Sequence, residues 1–179
     1  MPLPEIPAGT WTVDPVHSRI GFVARHMMVT KVRGTFLDYA SEVTIAENIL
    51  DSSVSAVVQM ASIDTGNGDR DGHLRTNDFF DIAQHPTMTL QSTGITVDGD
   101  EYKLNADLTI KGVTQPVTFD LEFEGVTGDP WGGTRAGFSA STTVSRKDFG
   151  IEWNAPLETG GVMVGDKVQI EVDVQMVKN

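Results

Sequence analysis

The chain of 179 residues contains no cysteine, which removes disulfide staples, thiolate nucleophiles and thiolate metal sites at once. Positive charge is scarce: 13 lysines and arginines face 25 aspartates and glutamates, a formal net charge of −12. Such a balance repels phosphate backbones and anionic headgroups, so neither nucleic acid nor an anionic membrane surface is expected as a partner. No apolar run is long enough to cross a bilayer as a helix. The opening Met1-Pro2-Leu3-Pro4-Glu5-Ile6-Pro7 has neither a basic region nor an apolar stretch of export-signal type, and the expectation is a cytoplasmic protein. Low-complexity and linker-like stretches are also missing, so residues 1–179 are expected to form a single domain around one core.

What the sequence does have is alternation. Val117-Thr118-Phe119-Asp120-Leu121-Glu122-Phe123-Glu124 switches between apolar and polar at every step. The same rhythm returns at Val54, Ala56, Val58 and Met60, at Leu104, Ala106, Leu108 and Ile110, and at Val168, Ile170, Val172, Val174 and Met176. Period-two patterning of this kind belongs to half-buried antiparallel strands, and many of them with little helix make a barrel or a sandwich. Asp98-Gly99 is a hairpin signal, Met27 to Lys31 reads as a turn between paired strands, and Thr35 to Ile45 reads as continuous strand. The rhythm breaks between Asp64 and Asp81. There Asn67 can cap one short helix with Asp69 and Asp71 in its first turn, and Asp71 stands four residues ahead of Arg75 in the order that favours an ion pair. The adjacent Phe79 and Phe80 would anchor this excursion onto the barrel as a plug or lid. Lys147 to Gly165 is a second irregular stretch, rich in glycine.

A closed barrel of modest strand number either packs its interior solid or encloses one small ligand. Phe22, Phe36, Met60, Met88, Phe119, Phe123 and Phe138 all fall at inward positions, and adaptable side chains of this kind suit a cavity for a flexible apolar ligand. They would equally well fill a solid core, and periodicity does not separate the two. Sharper motifs fade on inspection. Asn67, Asp69, Asp71, Gly72 and Asp78 imitate a calcium loop but lack its leading Asp, its closing Glu and its flanking helices. Asp14, His17 and Ser18 invite a triad, yet neighbouring strand residues point to opposite faces. Gly137-Phe138-Ser139-Ala140-Ser141 lacks the last glycine of a nucleophile elbow. Of the four histidines, His26 and His73 are the candidates to meet a ligand headgroup.

Several fragments together carry a family. Trp11-Thr12-Val13-Asp14-Pro15-Val16-His17-Ser18, Gly34-Thr35-Phe36, Ser62-Ile63-Asp64-Thr65, Arg70-Asp71-Gly72-His73-Leu74, Asp78-Phe79-Phe80-Asp81, Leu108-Thr109-Ile110-Lys111-Gly112-Val113-Thr114 and Arg146-Lys147-Asp148-Phe149-Gly150 resemble, in order and spacing, the YceI-like family. The resemblance implies an all-β fold, an extended lipocalin-like antiparallel β-barrel with a short helical excursion around residues 67–81. It further implies a polyisoprenoid or similar long-chain lipid, such as an isoprenoid quinone, held inside the barrel. No metal, nucleotide or covalent cofactor is expected, no catalytic residue is assigned, and a homodimer is compatible with the family.

On this reading the lipid tail lies against Phe22, Phe36, Val58, Met60, Met88, Leu90, Leu108, Ile110 and Phe138. Trp153 and Met163 act as gates, and His26, Asp71 and His73 sit near an opening. Two alternatives stand beside it. One is an isomerase or hydratase of a small apolar substrate with His26 or His73 as general base. The other is a stress-related interaction protein with a solid barrel.

Overall fold

The computed structural model describes residues 3–158 and 161–179. Its strands, in chain order, are β1 (Gly9–Val13), β2 (Arg19–His26), β3 (Thr30–Phe36), β4 (Tyr39–Ile45), β5 (Ser53–Gln59), β6 (Ile63–Asp64), β7 (Thr87–Asp98), β8 (Glu101–Ile110), β9 (Val113–Gly128), β10 (Thr134–Ser145) and β11 (Val164–Lys178). One helix, α1 (Gly68–Leu74), interrupts them. The order β1-β4-β5-β7-β8-β9-β10-β11 closes on itself because β11 also pairs with β1, giving a fully antiparallel eight-stranded barrel. Closure pairs each of these eight strands on both sides over at least part of its length.

The extension of the barrel follows from one interruption. Trp11–Val13 of β1 pair with the end of β11, at Met176–Lys178, while β2 pairs with its earlier part, Val164–Asp173. Between them Asp14 accepts a hydrogen bond from the Val16 amide and Pro15 opens a short 3₁₀ turn, so one edge is split into two strands. Strand β2 leaves the ring and carries β3 and β6 with it. The run from Thr35 to Ile45 is therefore two strands rather than one: the chain bends at Leu37 and Asp38, whose backbones bond to Ser62 and Gln59.

Alternation sets the faces. In β9, Phe119 is buried while Asp120, Glu122 and Glu124 are exposed; in β8, Ala106, Leu108 and Ile110 are buried while Lys103 pairs with Asp120 across the outer surface. Asp98-Gly99 makes the expected hairpin, with Gly99 at φ 61°. The β2–β3 turn is unusual, because Met27 (φ 53°) and Met28 (φ 63°) both occupy the left-handed region, which disfavours a side-chain-bearing residue by roughly 1 kcal/mol each.

Two clusters close the ends. Ile6, Trp11, Ile45, Ile49 and Met176 pack at the end nearer the N-terminus. Phe79, Ile110, Phe149 and Ile151 pack at the other, beneath α1, with Phe36, Met60 and Ile63 beside them. Phe79 is buried and Phe80 reaches both of the latter clusters, so the phenylalanine pair anchors the excursion as its sequence implies. Asn67 caps α1 by accepting from the Arg70 amide at 3.0 Å. The expected Asp71–Arg75 pair does not form: Asp71 is buried and accepts from the Thr65 amide (3.0 Å) and hydroxyl, and Arg75 donates to the carbonyl of Ala61 (3.0 Å). Tertiary partners on the β6 side outcompete a solvent-exposed helical ion pair worth a few tenths of a kcal/mol. Among the described residues no helix is long and apolar enough to cross a membrane.

Candidate functional site: an apolar cavity within the barrel

The barrel is not filled. An internal cavity of about 210 Å³ lies between the two end clusters, with Ile45 and Ile49 at its N-terminal end and Met88 and Leu108 at the α1 end. Its wall is built from the inward face of each long strand: Leu104 of β8, Phe119, Leu121 and Phe123 of β9, Phe138 and Ala140 of β10, Ile170, Val172 and Val174 of β11. Ala56 and Ala140, together with Ser41 of β4, are the small residues that keep it open, since a larger side chain at any of them would project into the void. Among the described residues the lining contains no histidine, carboxylate, amine or guanidinium. A dry void of this character favours hydrocarbon over water.

One buried polar atom of the wall stands without a partner among the described residues. The hydroxyl of Tyr39, on β4 where β2 has left the ring, is buried without a hydrogen-bond partner. Burial pushes its pKa up and the Asp14 carboxylate adds to this, against a weaker opposing influence of the Ser18 hydroxyl. Orphaned buried hydroxyls are rare and costly, so this one is either a strain left in the fold or the partner of something absent.

The residues expected to form the site divide by depth. Val58, Met88, Leu90, Leu108 and Phe138 line the cavity. Phe36, Met60 and Ile110 face inward but belong to the packed clusters beyond its floor. Phe22 lies in the β2–β3 extension, where its ring covers Gly34 so closely that a Cβ there would come within 2.3 Å, and it packs against Phe36 at 5.8 Å. His73 contacts Asp78 at 2.8 Å and meets the rings of Phe79 and Trp153 edge-on at 5.0 and 4.8 Å, so His73 and Trp153 sit in the plug. Asp71 ties α1 to Thr65, as described above. His26 ends β2 opposite Thr30, and the Met163 carbonyl accepts from the Met27 amide at 2.8 Å; neither residue reaches the cavity. Sequence reasoning missed Tyr39, Ala56 and Ala140.

The Asp14 cluster is structural in form. Its carboxylate is held by Arg135 Nη1 at 2.9 Å and His17 Nδ1 at 2.7 Å, and Arg135 continues to Asp129 at 3.1 Å. Ser18 turns away, accepting from the Gln175 amide at 3.0 Å, so the triad geometry is not met. His17 first and Arg135 second lower the Asp14 pKa to about 2. Because the folded value is depressed, the stabilisation is complete above the unfolded carboxylate range near 4 and disappears as pH falls through about 2. Asp14→Asn is expected to flatten the fall in thermal midpoint between those pH values; an acid limb identical to that of the parent would show the carboxylate uncoupled from folding.

A closed antiparallel barrel of eight strands with an apolar interior and a helical plug places the molecule among the lipocalin-like barrels. Within that class the chain belongs to the YceI-like family, whose domain model matches residues 11–176. A UPF0312 protein of Staphylococcus epidermidis is 43% identical over 164 residues, covering 90% of this chain and 94% of the relative. Among solved structures, BcnA of Burkholderia cenocepacia superposes with a TM-score of 0.79 at 23% identity, covering 91% of this chain and 98% of its own. A polyisoprenoid binding domain from Saccharophagus degradans does so with a TM-score of 0.69 at 17% identity, covering 94% and 98%.

Proposed function

We propose that the protein binds a polyisoprenoid or similar long-chain lipid noncatalytically, with the apolar tail in the barrel and the Tyr39 hydroxyl bonded to a carbonyl or hydroxyl near the ligand's polar end. The cavity carries the proposal: its lining is overwhelmingly apolar and uncharged, and the one orphaned polar atom among the described residues belongs to Tyr39 in its wall. The Saccharophagus degradans domain, named for polyisoprenoid binding, supports the same ligand class through a shared fold. A lining without histidine among the described residues speaks against an isomerase or hydratase with His26 or His73 as general base, and the void speaks against the solid barrel. At about 210 Å³ the cavity is smaller than the roughly 300–1,000 Å³ of drug-sized ligand pockets, so a long tail needs further room. The plug provides it: Ile110, Met60, His73 and Trp153 lie directly beyond Met88 and Leu108, and their displacement would extend the tunnel. Each buried methylene contributes about 0.8 kcal/mol, and ordering the chain offsets part of the sum.

Native mass spectrometry of freshly purified protein, followed by organic extraction, tests the reading. A stoichiometric isoprenoid or long-chain lipid is expected. A mass equal to the bare chain under gentle ionisation, with nothing apolar in the extract, would sink it.

A further inference from the structure

The net charge of −12 conceals a strong asymmetry. Between Pro15 and Leu37 there is no aspartate or glutamate, whereas Arg19, Arg25, Lys31 and Arg33 all fall there. This is the β2–β3 hairpin, and register places its cations on one face. Arg25 lies opposite Lys31, Arg33 lies opposite Val23, and Arg19 is in phase with Arg25; that phase is opposite to Ile20, which lines the cavity. Like charges directly across a ladder repel. Acidic side chains answer only the cations far from the tip: Arg19 and Arg33 reach Glu171 at 4.0 and 3.9 Å, whereas among the described residues Arg25 and Lys31, nearest the tip, form no ion pair.

The tip of the same hairpin is apolar. Met27, Met28 and Val29 are 41%, 54% and 75% exposed. Their placement is not explained by folding, since two consecutive turn residues with positive φ favour Asn-Gly, and methionine is a costly choice there. Val162 (37% exposed) precedes Met163 in the chain, and the Met163 carbonyl accepts from the Met27 amide.

We propose that the β2–β3 hairpin docks the plugged end of the barrel onto an anionic lipid bilayer, with Met27, Met28 and Val29 entering the headgroup region and Arg25, Lys31 and Arg33 facing the lipid phosphates. A short apolar turn with basic side chains along one face behind it is the chemistry of an interfacial anchor, where burial of apolar groups and attraction to anionic lipid act together. A protein partner would need a concave acidic site to receive so exposed a tip; a fluid headgroup layer needs no such match. The surface is independent of what the cavity holds. Most of the molecule is acidic, so only this hairpin would face the membrane, and net charge alone misleads.

The test is co-sedimentation of the full chain with vesicles of phosphatidylcholine, with and without phosphatidylglycerol, at low and high salt. Binding is expected only with phosphatidylglycerol, and it weakens as salt screens the charges. Met27→Asn combined with Met28→Gly suits the turn better, so its thermal midpoint should equal or exceed that of the parent while its vesicle binding falls about tenfold or more. Arg25→Gln combined with Lys31→Gln should remove most of the salt-sensitive part. Equal binding to both vesicle types, no binding to either, or full binding by the turn variant would overturn the proposal. So would a parent that sediments as a dimer without vesicle binding and becomes monomeric in the turn variant, which would assign the tip to a second copy.

Discussion

Ala140→Trp is expected to empty the barrel of its ligand while leaving the fold in place. Ala140 lies in the middle of β10, between Leu121 of β9 and Val172 of β11, and its methyl group faces the cavity. Overpacking a filled core costs about 1–3 kcal/mol, but here the indole enters space that already exists, so the thermal midpoint should change little or rise. The ligand loses what the indole takes. Displacing about five methylene-sized groups forfeits about 4 kcal/mol, close to a thousandfold in affinity. The measurement is lipid recovered per mole of protein alongside the thermal midpoint. Ser139→Trp, one residue along and on the opposite face, serves as the control and should retain its cargo. A normally folded Ala140→Trp protein carrying the parent's full complement of lipid would place the ligand outside the barrel.

Alternation alone made much of this legible. It assigned the inward faces of β8, β9 and β11, and it put Val58, Met88, Leu90, Leu108 and Phe138 where the cavity is. It says nothing of depth along the barrel axis. Ile110 shares the phase of Leu108 but lies one pleat nearer the plug, inside packed side chains rather than against the void. Met60 has the phase of Val58, yet β5 ends at Gln59 and a 3₁₀ turn carries Met60 under α1. The missed residues were missed for physical reasons. Alanine is unremarkable in a strand, and only the width of the surrounding barrel turns Ala56 and Ala140 into the residues that keep a tunnel open. Tyr39 stood inside what read as an unbroken strand, and its orphaned hydroxyl depends on β2 leaving the ring at Asp14-Pro15. Asp71 and Arg75 had helical spacing in their favour and were taken by partners outside the helix, which a rule of helical spacing does not see.

Arg146→Ala should lower the thermal midpoint by about 6–20 °C, because this arginine commits nearly all of its donors to buried backbone. It is only 5% exposed. Its Nε donates to the Gly165 carbonyl at 2.9 Å, Nη1 donates to those of Ile151 and Trp153, both at 2.9 Å, and Nη2 reaches Val164 at 3.4 Å. Asp166 stands 3.6 Å away as the counter-charge. Burial pushes the guanidinium pKa down and Asp166 opposes it. Arginine stays charged regardless, since its ordinary pKa lies far above neutrality. The carbonyl dipoles solvate that charge, and the fork holds the beginning of β11 to the loop that follows the Arg146–Phe149 turn. Removing it strands carbonyls that alanine cannot satisfy, at a cost of about 3–5 kcal/mol. For a domain of this size each kcal/mol corresponds to about 2–4 °C. Arg146→Lys should recover only part of the loss, because a single ammonium cannot span carbonyls on both segments in the way a planar fork does. The consequence extends to the plug. The Trp153 carbonyl is one of the clasped groups, and its ring packs against His73 and Phe79 over the cavity floor. A loosened clasp should therefore quicken exchange of the bound lipid even under conditions where the variant remains folded, read as faster transfer of extractable lipid to empty acceptor vesicles. A variant with the parent's thermal midpoint would show that water replaces the guanidinium at those carbonyls. One destabilised but exchanging lipid at the parent's rate would separate the clasp from the plug.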